Sequence, residues 1–105
     1  MQADKKVQTT YGSTAWLRFS RAITAKATEK AYRNSLKVFM RFMKVSGEVE
    51  AAKLLEGTNE QIEDHIVGFI AAQKEENLSS SIIHTRLAAI KLFYDMNRRP
   101  LAPRR

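Results

Sequence analysis

Six cations recur at three- or four-residue steps along one stretch of the chain: Lys26, then Lys30, Arg33, Lys37, Arg41 and Lys44 within ATEKAYRNSLKVFMRFMK. At about 100° per residue on an α-helix, all of them fall within about 60° of Lys26. The row is about 27 Å long at 1.5 Å per residue. Each like-charged neighbour pair costs a few tenths of a kcal/mol in an isolated helix, so the row costs about 1–2 kcal/mol. Only Glu29 is placed to relieve it, facing Lys26 and Arg33. Ionic contact with the phosphates of a duplex is the chemistry such a row could do. Two other readings compete with it. The row is a solvated face, or acids from residues 48–76 pack beside it.

Bond-making chemistry finds no comparable arrangement. His65 and His84 are the two histidines, far apart and without a carboxylate at metal-ligand spacing, so no metal site is expected. Ser79, Ser80 and Ser81 read as a helix cap, with no nucleophile elbow around them. Gly12, Gly47, Gly57 and Gly68 are scattered and form no phosphate loop. Glu63 and Asp64 are explained by an acidic helix face without acid–base work. No catalytic residue and no cofactor is expected.

The 105 residues are enough for one domain, and a hydrophobic share of 44% allows a modest core. There is no cysteine, which removes disulfides and thiolate chemistry. No run approaches the roughly 18 apolar residues of a membrane span. MQADKKVQTTYGSTAW lacks the apolar centre of a signal peptide, so a cytoplasmic location is the default expectation. The net charge of +7 is unevenly spread. Residues 1–47 carry ten Lys/Arg against two acids, residues 48–76 two against eight, and residues 77–105 six against one. One positive and one negative face follow, as in polyanion binders, although simple solubility explains the composition equally well.

The elements that must position these residues are helices; no strand alternation or hairpin signal appears. The first twelve residues are polar and are expected to fray. A short helix from Ser13 to about Ala22 would bury Trp16, Leu17 and Ile23. A long second helix runs from about Ala25 to Val45, with Thr24 at its N-cap and Gly47 beyond its end. Tyr32, Leu36, Phe39 and Met43 form its packing side. EVEAAKLL makes a brief helical turn. The third helix starts at Thr58, where Thr58 and Gln61 fit a capping box, and runs to about Glu76, with Asn77 closing it. Ile62, Ile66, Phe69 and Ile70 are its packing residues, and its acids should face away from a polyanion. The fourth helix runs from after Ser79 to about Met96. The expected fold is an all-α, four-helix bundle. RRPLAPRR reads as a linker or arm.

On the fourth helix, Ile82, Ile83, Leu87, Ile90, Phe93 and Tyr94 make a core side. Ser81, His84, Thr85, Lys91 and Asp95 fall largely opposite. Short polar groups near a helix N-terminus with a basic residue further on suit a major groove. Arg86 lies among apolar neighbours, where it could snorkel or reach a phosphate past the core edge.

The order of these phrases resembles the core-binding domain of tyrosine recombinases, the phage-integrase and Xer-type family. Thr28, Tyr32, Leu36, Phe39 and Phe42 match the spacing of the family's long helix. Thr58 to Ile70 is similar to its next helix. Leu78-Ser79, Ile83, Arg86-Leu87, Ala89-Ile90, Lys91 and Phe93-Tyr94 resemble its last one. The sequence departs from the pattern at Ser80, where many members have Pro, and at Ile82, where many have Thr. The resemblance covers about residues 13–97 and implies a small SAM-like helical bundle that closes over one side of DNA. Residues 1–12 would precede this domain, and 98–105 would be a basic linker toward a separate catalytic domain. The resemblance implies double-stranded DNA, that catalytic domain and a recombinase oligomer as partners, with no membrane. It implies DNA contacts from Lys26, Lys30, Arg33, Lys37, His84, Thr85, Arg86 and Lys91; Arg41 and Lys44 join them on the helical row alone. The family's two Arg, Lys, His-type residues and nucleophilic Tyr belong to the catalytic domain, so Tyr94 is not the nucleophile and this chain is expected not to be an enzyme.

DNA binding is therefore the leading expectation. The alternative is a protein-interaction or oligomerisation module that pairs opposed basic and acidic faces. A third reading, a membrane-surface or calmodulin-target helix over Arg33–Lys44, is weakened by the apolar partners that the other helices offer.

Overall fold

The structure, a computed structural model, describes residues 14–101. Ser13, the segment expected to fray and residues 102–105 of the tail lie outside them. Among the described residues there is no strand, and the chain is all-α. Helix α1 covers residues 14–21, α2 Lys26–Phe42, α3 Asn59–Glu75 and α4 Ser80–Met96; a 3₁₀ helix, Glu48–Leu55, joins α2 to α3.

The helix starts follow local chemistry. Thr58 caps α3: its hydroxyl accepts from Gln61 N at 3.1 Å, and Gln61 Oε1 accepts from Thr58 N at 2.9 Å, the capping box the spacing predicts. Ser79 caps α4 by accepting from Ile82 N at 3.2 Å. The expectation for α2 fails. Its N-cap is Ala25, with no side-chain cap, because Thr24 stands one residue too early to reach the first free N–H groups.

The ends of α2, α3 and α4 share one device. α2 stops at Phe42, three residues short of the expected Val45. Lys44 takes a left-handed φ of 61°, Val45 N–H donates to the Met40 carbonyl at 2.8 Å, and Lys44 N–H to that of Arg41 at 3.0 Å. These two bonds are a Schellman motif, with apolar Val45 and Met40 at its paired positions. Asn77 closes α3 and Arg98 closes α4 in the same way, with φ of 62° and 64°. Gly47 does not end α2; it opens the 3₁₀ segment.

The core lies where α2 packs on α4, with α3 touching α4 more lightly. Leu36, Phe39 and Met40 of α2, Ile62, Ile66 and Phe69 of α3, and Ala89, Ile90, Phe93 and Tyr94 of α4 are buried, together with Ala51 and Leu54 of the 3₁₀ segment. Trp16, Phe19, Phe93 and Tyr94 form a chain of edge-to-face contacts from α1 into α4. Between α2 and α3, Phe69 meets Phe39 and Phe42 edge-to-face, while Phe39 and Phe42 stack on each other within α2. Two residues assigned to the core are outside it. Leu17 is 50% and Ile82 42% exposed, because the neighbouring Trp16 and Ile83 take the inward positions on their helices.

Polar bonds tie the far end of the chain to this core. Buried Asn97 donates through Nδ2 to the carbonyls of Ala15, at 3.1 Å, and Phe93, at 2.9 Å. Arg99, read as part of the tail, is bonded into the fold. Its guanidinium donates to the carbonyls of Leu55 and Gly57 and to Asn59 Oδ1, clasping the junction of the 3₁₀ segment and α3. Gly57 has φ 92°, and a Cβ there would stand 2.7 Å from Gln61 Oε1, so the turn into the capping box requires glycine.

Candidate nucleic-acid interface

The cation row exists, shortened by one member. Lys26, Lys30, Arg33, Lys37 and Arg41 stand on consecutive turns of α2, about 22 Å from first to last. Lys44 is not on the row, because it occupies the left-handed residue that ends the helix. Lys26, Lys30, Arg33 and Lys37 line an open groove of about 410 Å³ with Glu29, Asn34 and Glu48. An adjoining groove of about 450 Å³ is lined by Lys37, Arg41 and Glu48 with Met40, Val45, Gly47 and Val49. Lys37 and Glu48 belong to both.

The centre of the row is not bare. Arg33 is paired with Glu29 at 3.2 Å, one helical turn back. Lys37 is paired with Glu48 at 3.3 Å. Both pairs are substantially solvent-exposed, so each contributes little to stability, about 0–1 kcal/mol. Glu29 was legible as a relieving acid. Glu48 is the first acid of the 48–76 stretch, so packing of those acids beside the row is realised at this one position.

Trp16 lies beneath the same two cations. The Arg33 guanidinium carbon is 5.8 Å and Lys37 Nζ 5.6 Å from the indole centroid, within cation–π range. The ring is 3% exposed, and its Nε1–H finds no acceptor among the described residues. The sequence identified Trp16 as core; its part under the cations depends on how α1 crosses α2, which no local pattern encodes.

The α4 residues line neither groove. His84 and Lys91 are exposed, two turns apart on one face. The Thr85 hydroxyl donates to the Ser81 carbonyl of its own helix at 3.1 Å. Arg86 Nη1 donates to Gln73 Oε1 on α3 at 2.6 Å, and Gln73 is buried. Its guanidinium has therefore found a protein partner, an outcome between snorkelling and reaching outward.

The 3₁₀ segment holds Glu48 in place. Ala51 and Leu54 anchor it in the core, and the Tyr94 hydroxyl donates to the Leu54 carbonyl at 2.7 Å. Burial pushes the Tyr94 phenol well above its ordinary pKa, with the Arg99 charge pulling weakly the other way. Glu50 accepts from Ser46 N at 3.1 Å and pairs with Lys53 at 3.4 Å; the backbone bond, then Lys53, lowers its pKa.

Among the described residues no cluster of His, Cys, Asp or Glu could hold a metal, and no helix is long and apolar enough to cross a membrane. The family model for the N-terminal SAM-like domain of phage integrase matches residues 16–99. No match is found among curated proteins or among solved structures.

Proposed function

The chain belongs to the family of phage-integrase N-terminal SAM-like domains, and from that premise we propose that it binds double-stranded DNA through the cation row of α2. The observation that carries this reading is the row itself. Lys26, Lys30 and Arg41 are exposed, and no acid pairs with them among the described residues. Phosphate contacts from Lys26, Lys30, Arg33, Lys37 and Arg41 would fix register without reading sequence. His84 and Thr85, near the start of α4, are the residues proposed to meet base edges, with Lys91 on a neighbouring phosphate. Lys44 and Arg86 take peripheral places, the first off the row and the second already bonded.

The matched domain is not itself catalytic. DNA strand exchange belongs to the tyrosine-recombinase context of the family. On this reading the domain clamps one side of a duplex, a catalytic domain of the same protein covers the other, and recombinase copies assemble on the DNA. The chain would then act where its DNA is, in the cytoplasm.

The test is anisotropy of a labelled random-sequence duplex of about 25–30 base pairs across low to moderate salt. Neutralising about four phosphates with Lys37 held by Glu48, or about five with Lys37 released, gives a log–log salt slope between about −3.6 and −4.5. Replacing Lys26, Lys30 and Arg41 by Ala should reduce its magnitude by about 2.7. An unchanged slope would sink the assignment of the row. No binding at any salt would favour the opposed basic and acidic faces as a protein-interaction surface instead.

A further inference from the structure

Lys37 and Glu48 stand at the one place where the two grooves along α2 meet, and they line both. Their 3.3 Å contact places an acid in the middle of the surface that phosphates would follow. Nothing local on α2 puts it there. Glu48 arrives from the 3₁₀ segment, whose backbone is set by Gly47 at φ 72°, a conformation side-chain-bearing residues rarely adopt. The segment is then held by buried Ala51 and Leu54, and by the Glu50 carboxylate on Ser46 N. The same lysine ammonium also lies over the Trp16 ring. Lys37 thus has two attractive neighbours within the chain, one anionic and one aromatic.

We propose that Glu48 is an intrachain competitor for DNA: its carboxylate takes the place of a backbone phosphate on Lys37, and a duplex must displace it to run unbroken from Lys26 to Arg41. This rests on the DNA-binding reading of the row. Glu48 then sets affinity by repulsion, lowering it for duplexes that cannot compensate elsewhere. An exposed ion pair of this kind is cheap to open, so the competitor weakens binding without blocking it.

The experiment compares wild type, Glu48→Gln, Lys37→Ala and the double variant on the random-sequence duplex. Glu75→Gln on α3 serves as a control with the same change of charge. Glu48→Gln should tighten binding about three- to tenfold at low salt, as expected for one unit charge a few ångströms from a phosphate near water. It should also steepen the salt slope by about 0.9, one added phosphate contact. Glu75→Gln should leave the slope unchanged, and the gain from Glu48→Gln should vanish when Lys37 is Ala. If wild type binds with a steep salt slope and Glu48→Gln matches it, the competitor is overturned while the DNA reading stands. If the gain persists without Lys37, or Glu75→Gln reproduces it, Glu48 acts as bulk charge and the inference falls. If wild type binds no duplex at low salt, the reading and the inference fall together.

Discussion

The Tyr94 hydroxyl donates to the Leu54 carbonyl at 2.7 Å, across 40 residues of sequence, and so ties α4 to the 3₁₀ segment that carries Glu48. Its raised pKa makes the stability of the fold, rather than the bond itself, sensitive to alkali. Below about pH 10, the ordinary phenol value, both folded and unfolded chains keep the proton. Above it the unfolded chain loses the proton and the folded chain keeps it, so the unfolded state binds fewer protons and stability falls as pH rises. Tyr94→Phe should cost about 1–3 kcal/mol at pH 7, because the buried Leu54 carbonyl is left unpaired. It should also lack this part of the alkaline fall. Urea unfolding between pH 8 and 11.5 checks both: the two stability curves should converge above about pH 10. Parallel curves would mean that Tyr94 ionises freely in the folded protein.

Arg99 clasps the junction between the 3₁₀ segment and α3 through two carbonyls and Asn59 Oδ1. The guanidinium fork serves three acceptors at once, which a single ammonium cannot match. Arg99→Ala should lower unfolding free energy by about 1–2 kcal/mol, since the site is partly open to water. Arg99→Lys should recover less than half of that. The midpoint of urea unfolding should shift without a change of slope; no shift would make Arg99 part of a free tail.

The fold was legible where one residue sufficed to signal an event. Thr58 with Gln61 gave a helix start, Ser79 gave another, and Asn77 gave an end. It was illegible where a common residue adopts a rare conformation. Lys44 and Arg98 end helices at positive φ, and only apolar Val45, five residues after Met40, hinted that α2 would stop early. The cation row of the candidate interface was legible as a period on one helix, which is local. Its acid from the 3₁₀ segment and its aromatic floor from α1 were not, because they depend on how separate segments cross. Arg99 was hidden for the same reason, its acceptors lying about 40 residues upstream.

Arg98 ends α4 with φ 64°, a conformation costing a non-glycine residue about 1–2 kcal/mol. Arg98→Gly removes that strain and gives back part of the gain as unfolded-state entropy. The net effect should be a stabilisation of about 0.5–1 kcal/mol, read as a higher melting temperature. Arg98→Ala keeps the Cβ and should give no such gain. Equal effects of the two would show that the arginine side chain, and not the backbone, decides the stability of this end.

Lys30 and Arg86 separate a surface role from a structural one. Lys30 is exposed on the row, and no acid pairs with it among the described residues. Lys30→Ala should therefore change stability by less than about 0.5 kcal/mol and reduce the magnitude of the salt slope for duplex binding by about 1. Arg86 holds the buried Gln73 side chain at 2.6 Å, and its loss leaves that oxygen without a donor. Arg86→Ala should cost about 1–3 kcal/mol of stability while leaving the salt slope of the folded protein close to wild type. Thermal unfolding and anisotropy on the same samples decide the matter. If Arg86→Ala instead melts like wild type and loses one phosphate from the slope, its guanidinium leaves Gln73 for DNA, and α4 contributes an ionic contact to the interface.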